Sequence, residues 1–528
     1  MMPVPARRTL LALLCALACL APVAAQRTDV SAVEQGASIA RSARTDRWRV
    51  VGPGGGGTTL HPVISPHDSN VAAQTCDMTG SYLTVDGGVS WRMFNLGTGA
   101  SAFAFDPNDP SVIYAAASAI FRSDDRGKTW AMVFPDPARN TVANGWGDHA
   151  ETVYTTDDPL YPSGQDVVIH AIGVDESDSN RLFAAIQARK PGPPGSSEPE
   201  TTTVLASANR GRTWTAIGDL PAQRVFAIWA GIAGGPVQLL AEEGVFVRAG
   251  DRWRRGPAPA GVRFDSGSVG RDAEVGATLV YATAPLEAGE AGVRGGMYVS
   301  RDSGAHWVEA NGRLSELFGD AVGRGETWGP AHTSRPRLGP VSASARHGLT
   351  AYVGLRGLRA KDGDGKPFNG VARTADGGRT WTIVHRESDR PAANFEPSWI
   401  EARAVEDGRS VWLDAPYDIG AAPSDPLVCH VTDLFRTYRT TDGGRTWAQV
   451  NSARANGDAW VSRGLDVTTH YGMAWDPFDP KHVLVATTDI GLFGSEDGGA
   501  TWIGSSSGIP RPWRNTAYWV VFDPEVKG

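Results

Sequence analysis

Long helical periodicity is missing from this sequence, and so are basic runs and extended apolar stretches. Of its four cysteines, Cys15 and Cys19 lie in an N-terminal leader, which leaves Cys76 and Cys429. Two cysteines are too few for a disulfide framework, and nothing in the sequence brings them together. No Cys/His cluster has the spacing of a zinc site. Asp362-Gly-Asp364-Gly has the opening of a calcium loop but not its remaining ligands, and a hairpin tip accounts for it. No metal or cofactor is expected. The formal charge is −8, and loss of Arg7 and Arg8 with the leader makes it −10. Without a basic stripe, nucleic acid is not an expected partner. The longest apolar run, Leu10–Ala21, is too short to cross a bilayer. With Arg7 and Arg8 before it and Val23-Ala24-Ala25 after it, it reads as a secretory signal over residues 1–25. A secreted or periplasmic protein is expected, with a lead-in over 26–47 and no membrane span.

What the chain has in plenty is glycine (63), proline (35) and tryptophan (18), the profile of many short strands joined by turns. One turn recurs seven times, with the form Ser/Thr-x-Asp-x-Gly-x-Thr/Ser-Trp. The copies are Thr84–Trp91, Ser123–Trp130, Ser207–Trp214, Ser300–Trp307, Thr374–Trp381, Thr440–Trp447 and Ser495–Trp502. Asn209 replaces the Asp in the third copy and His306 the Thr in the fourth. Ala249-Gly-Asp-Arg-Trp253 is an eroded eighth copy. The Asp accepts local backbone N–H groups, the Gly takes a positive φ, and the Trp starts the next strand and buries its ring. A turn chemistry repeated this often is a structural staple between two strands, so its carboxylates are not catalysts.

A second element precedes several staples. It is an apolar residue, Asp-Pro or similar, a polar stretch and an apolar strand, as in Phe105–Tyr114 and Trp475–Leu484. Opener, strand, staple and strand make one four-stranded unit. Staples are 39 residues apart at their closest (84 to 123) and 93 at their widest (207 to 300), so the wide gaps hold insertions. Radial repetition of four-stranded units is the all-β, β-propeller solution to unpaired edges. The chain stops at one more opener, Val521–Gly528, and this predicts that it is a piece of a longer protein.

The staple is identified as the Asp-box (BNR) repeat of sialidases, sortilin-type receptors and the xyloglucan-active enzymes of glycoside hydrolase family 74. Two segments favour the last. Gly54–Gly57 followed by Gln74-Thr-Cys-Asp77-Met-Thr-Gly80-Ser-Tyr82 resembles the start of that family, where a glycine run precedes a Thr-Asp-Ile-Gly-Gly-Ala-Tyr-like motif. Gly464-Leu-Asp-Val-Thr468 followed by Ala486-Thr-Thr-Asp489-Ile-Gly491-Leu-Phe493 is similar to its Gly-Leu-Glu-Glu-Thr and Asp-Val-Gly-Gly-Phe-like stretches. Met78-Thr79 and Leu492 depart from the family's glycine pairs, and Cys76 adjoins the first Asp. The resemblance implies two tandem seven-bladed propellers, the second incomplete here, with a first ring over 48–395 and the start of a second over 396–528.

The resemblance also implies function. Asp77 would be the catalytic base and Asp489 the general acid of an inverting glycosidase. Thr432-Asp433-Leu-Phe-Arg436-Thr-Tyr438 is a similar segment, so Asp433 is the alternative acid; the upstream context favours Asp489. Inversion requires two carboxyls about 6.5–9.5 Å apart with a water between them. Tyr82, His470, Tyr471, Trp328, Trp399, Trp460 and Trp513 are candidate substrate contacts, as is Trp146, since flat rings in Gly-, Pro- or Asn-bearing loops stack on sugar faces. The expected partner is a polysaccharide or oligosaccharide, bound by a monomer. The staples suit equally a sortilin-like propeller that binds protein or peptide ligands without catalysis. A sialidase would need an arginine cluster and an Arg-Ile-Pro-like segment, and the latter is absent near Trp48.

Overall fold

The computed structural model describes residues 50–527 apart from 79, 145–151, 163–165, 190–200, 222–223, 231–234, 275, 290–291, 319–335, 360–366, 388–391 and 402–415. The leader, the lead-in, Trp146, Trp328 and Asp362–Asp364 therefore lie outside the described residues.

The protein is a β-propeller. Six four-stranded antiparallel sheets span residues 59–95, 102–134, 166–221, 225–255, 266–309 and 337–387. A seventh spans 418–449 and gains Phe395–Glu396 as a parallel fifth strand on its outer edge. In the first sheet Thr59–Ile64 pairs with Ala72–Cys76, then Gly80–Thr84, then Arg92–Asn95. The other blades repeat this meander.

The first strand of each sheet packs on the first strand of the next. Asp418–Ala421 of the seventh completes the circuit against Thr59–Ile64 of the first. The approach there is close: a Cβ on Gly420 would stand 2.0 Å from the Pro62 carbonyl oxygen. Thr437 bonds Thr59 at 2.8 Å and Gln74 at 2.9 Å across the same seam, and Arg439 reaches Ser69 and Asn70. The ring thus closes on a blade that ends at Gln449. The boundary expected at residue 395 is thus displaced: Phe395–Glu396 and 418–449 belong to the seventh blade of this ring, not to the start of a second ring. Residues 470–504 form an eighth four-stranded sheet outside this circuit, joined to it through the hairpin of Ser452–Arg454 and Trp460–Ser462.

The staples show why the blades hold. Thr84 Oγ1 donates to Asp86 (2.8 Å) and accepts from Gly88 N (2.9 Å), while Ser90 N and Oγ both donate to the same carboxylate. The other copies repeat this set, with Asn209 and His306 substituting without loss of the turn. The tryptophan does more than start a strand. The indole N–H of Trp91, Trp214, Trp307, Trp381 and Trp447 donates to a carbonyl of the preceding blade: Val450, Val133, Pro257, Ala310 and Val384, at 2.8–3.1 Å. These five staples are therefore also latches between blades, and Trp91 on Val450 is the latch that closes the ring; Trp130 of the second blade stacks on Phe94 instead, its indole nitrogen without an acceptor.

Cys76 and Cys429 are both buried and unpaired with each other. Among the described residues no helix is long and apolar enough to cross a membrane.

Candidate active site

The glycine run at 54–57 sits where the first blade, the seventh blade and the eighth sheet meet, and it leaves no room for side chains. A Cβ at Gly54 would lie 2.0 Å from Asn451 O, and one at Gly56 would lie 2.9 Å from both Ile490 and Thr468. Its backbone is held from all sides. Gly54 N donates to Asp466 Oδ1 (3.1 Å), Gly55 N to Leu465 O (2.5 Å) and Gly56 N to Phe435 O (3.3 Å). Thr468 Oγ1 donates to Gly56 O, and Trp399 Nε1 to Gly54 O at 2.7 Å. Positive φ at 54, 55 and 56 makes glycine the residue this path requires.

This seam carries Asp77 and Asp489. Asp77 follows Ala72–Cys76, with its N–H on Thr58 O at 3.1 Å. Asp489 occupies the turn between Val483–Thr487 and Gly491–Ser495 and adopts φ 59°, a left-handed conformation that costs a non-glycine residue strain. Its N–H donates to Thr516 Oγ1 and its carboxylate accepts from Asn515 Nδ2, both at 3.3 Å. Its carboxyl is held above the usual range by burial and further by the negative charge of Asp77, despite the Asn515 hydrogen bond. Two residues 412 apart in sequence thus sense each other's charge.

A third carboxyl, Asp466, is one the sequence reading quoted but gave no role. It fixes Gly54, accepts from Ser462 Oγ, and its carbonyl accepts from Tyr82 Oη at 2.7 Å. Burial pushes its carboxyl up to about 6. Cys76, next to Asp77, is buried, and desolvation raises its thiol to about 11, so it is not a nucleophile at neutral pH.

Asp433 lies behind this seam rather than on its surface, its Oδ1 accepting from Phe435 N. It is 1% exposed and locked to Arg436, which also bonds Glu387 and Glu401 at 2.9–3.0 Å. Its carboxylate is thus committed to Arg436 and buried among the described residues, which corrects its assignment as the alternative acid. Arg436 three residues after Asp433 was the available signal. Three proposed sugar contacts are corrected as well. Tyr82 is buried with its hydroxyl spent on Asp466 O. Trp399 is 5% exposed and meets Phe493 edge-on at 5.0 Å; Trp460 is 7% exposed and its backbone pairs with Trp502. Both rings are core. His470 and Tyr471 begin the first strand of the eighth sheet and are exposed, Tyr471 lying 5.1 Å from Tyr518. Trp513, 72% exposed, stands on a short 3-10 helix. No group of three or more potential metal ligands is present among the described residues.

Neither a protein-family model nor a curated protein matches the sequence. Solved structures do. An ancestral GH74 enzyme superposes with a TM-score of 0.56 at 17% identity, over 88% of this chain and 57% of that one. The GH74 enzyme of Niastella koreensis gives 0.50 at 16% identity, over 90% of this chain and 69% of that one. The chain thus spans little more than half the length of the first. At these identities the likeness is one of fold.

Proposed function

We propose that this protein is a glycoside hydrolase that cleaves a polysaccharide or oligosaccharide at the seam between its first ring and the eighth sheet. Asp489 is the proton donor and Asp77 the base that activates water. The observation that carries the reading is the placement of two acids 412 residues apart on one seam beside the glycine run, with the Asp489 carboxyl raised chiefly by burial and further by the Asp77 charge, the direction a general acid requires. Protonation of the leaving oxygen by one carboxyl, with water delivered by the other, gives inversion when they stand about 6.5–9.5 Å apart. Exposed Tyr471 and Trp513, with His470, supply sugar-contacting groups on the eighth-sheet side. Further blades completing a second ring would form the far wall of the cleft. On this reading the leader would send the enzyme out of the cytoplasm, where it would act as a monomer.

The test is reducing-end release from a panel of plant and bacterial polysaccharides by the full-length protein. Asp77→Asn and Asp489→Asn should each lower the rate by about 10²–10⁴-fold. Undiminished activity in either variant, or no activity on any glycan, removes the enzyme reading. The latter result favours a propeller that binds protein or peptide ligands, as the sortilin-type resemblance implies.

A further inference from the structure

The fourth blade is the one whose staple is eroded, and its place is a cavity. In intact blades the staple fills the groove against the preceding blade. A Cβ on the staple glycine Gly211, Gly304, Gly378 or Gly444 would meet Val133, Val245, Val299 or Val384 of that neighbour. In the fourth blade, Ala249 pairs directly with Arg252 around the two-residue turn Gly250-Asp251, so the filling loop is missing. Trp253 still reaches towards Gly218 of the third blade, but its indole nitrogen has no acceptor there. The unfilled space is about 450 Å³.

Its lining is chemically specific. Phe183, Ile217 and Val237 line it together with two arginines, Arg181 and Arg248. Arg181 is neutralised by Asp175 at 2.6 Å. Arg248 has the Trp253 ring 5.9 Å from its guanidinium carbon, no carboxylate partner among the described residues, and a buried Nη1 without a hydrogen-bond acceptor. An enclosed N–H of a cation left without an acceptor is costly, and a guanidinium pairs best with a planar carboxylate.

We propose that this groove between the third and fourth blades binds a small organic carboxylate. The anion pairs with Arg248 and the apolar body of the ligand rests on Phe183, Ile217 and Val237. The lost staple has thus become a ligand site, separate from the Asp77–Asp489 seam.

Calorimetric titration of the full chain with benzoate, formate and inorganic phosphate tests this. Benzoate should bind saturably and more tightly than formate or phosphate. Arg248→Met should weaken it by about tenfold or more, the worth of one charge-assisted hydrogen bond. Thr215→Glu, a surface change at the rim of the groove, should weaken it similarly by offering Arg248 an internal carboxylate, and it reads the site even if Arg248→Met does not fold. No saturable heat with benzoate overturns the proposal. So does equal affinity for all three anions, or unchanged benzoate affinity in a folded variant.

Discussion

The closed ring and the eighth sheet share one turn chemistry but differ in what surrounds it. In the ring, Trp447 is buried and its N–H reaches Val384 of the preceding blade. In the eighth sheet, Trp502 is equally buried at 1% exposure, its local staple is complete, and yet its indole nitrogen has no acceptor. The first strand of that sheet, His470–Trp475, leaves Tyr471, Met473 and Trp475 exposed, whereas among the first strands of the ring Val168 alone of the described large apolar residues is exposed. The staple is thus a local device that forms wherever its residues occur. The latch is a second property, and it needs a neighbour that offers a carbonyl: Trp130 in the ring has a neighbour, Phe94, but no acceptor.

That difference can be broken at several strengths. The largest effect is expected inside the ring. Arg436→Met removes the cation that three buried carboxylates share and should cost about 3–5 kcal/mol in denaturant unfolding. Next, Asp442→Ala and Asp497→Ala should each cost about 1–2 kcal/mol, judged by the worth of comparable capping bonds, because both staples make the same local bonds. A much smaller loss for Asp497→Ala would show that the staple too depends on its neighbours. Smaller again is the contrast between Trp447→Phe and Trp502→Phe. The first gives up a buried hydrogen bond worth about 1 kcal/mol beyond any packing loss common to both, and the second gives up none. Equal losses would erase the distinction between staple and latch.

The finest probe concerns the seam itself. The Asp466 carboxyl is raised by burial from 3.8 to about 6. Its contribution to stability is therefore fully present below the unfolded value and is lost as pH rises through the folded one. Thermal unfolding followed from pH 4 to 7 should show this decline, and Asp466→Asn should flatten it while keeping an acceptor for Gly54 N. A decline that persists in the variant assigns the effect to another group.

Much of the fold was legible because propeller blades are encoded locally. Thr84, Asp86, Gly88 and Ser90 bond among themselves, so the motif reads without knowledge of anything distant. Asp77 and Asp489 were legible as strand-end acids in recognisable contexts. The ring boundary was not, because closure is decided by contacts such as Thr59 with Thr437, which no local pattern reports. Trp399 and Trp460 were misread for the same reason. Trp399 looks like a loop ring, but its N–H is spent on Gly54 O, 345 residues away. Whether a ring faces a ligand or a core is settled by partners that spacing cannot name. Asp466 was quoted only as part of a motif, although it ties three segments together.

The glycine run has a consequence for how the chain acquires its structure. Its partners Asp466, Leu465 and Asn451 lie some 400 positions downstream, and the Trp91 latch waits for Val450. During synthesis the first blade must therefore emerge with one flank uncovered and stay so until nearly the whole described chain has appeared. Long-range closure of this kind is slow, and it exposes strand edges meanwhile. The segment that seals the finished molecule is then among the last parts of it to settle.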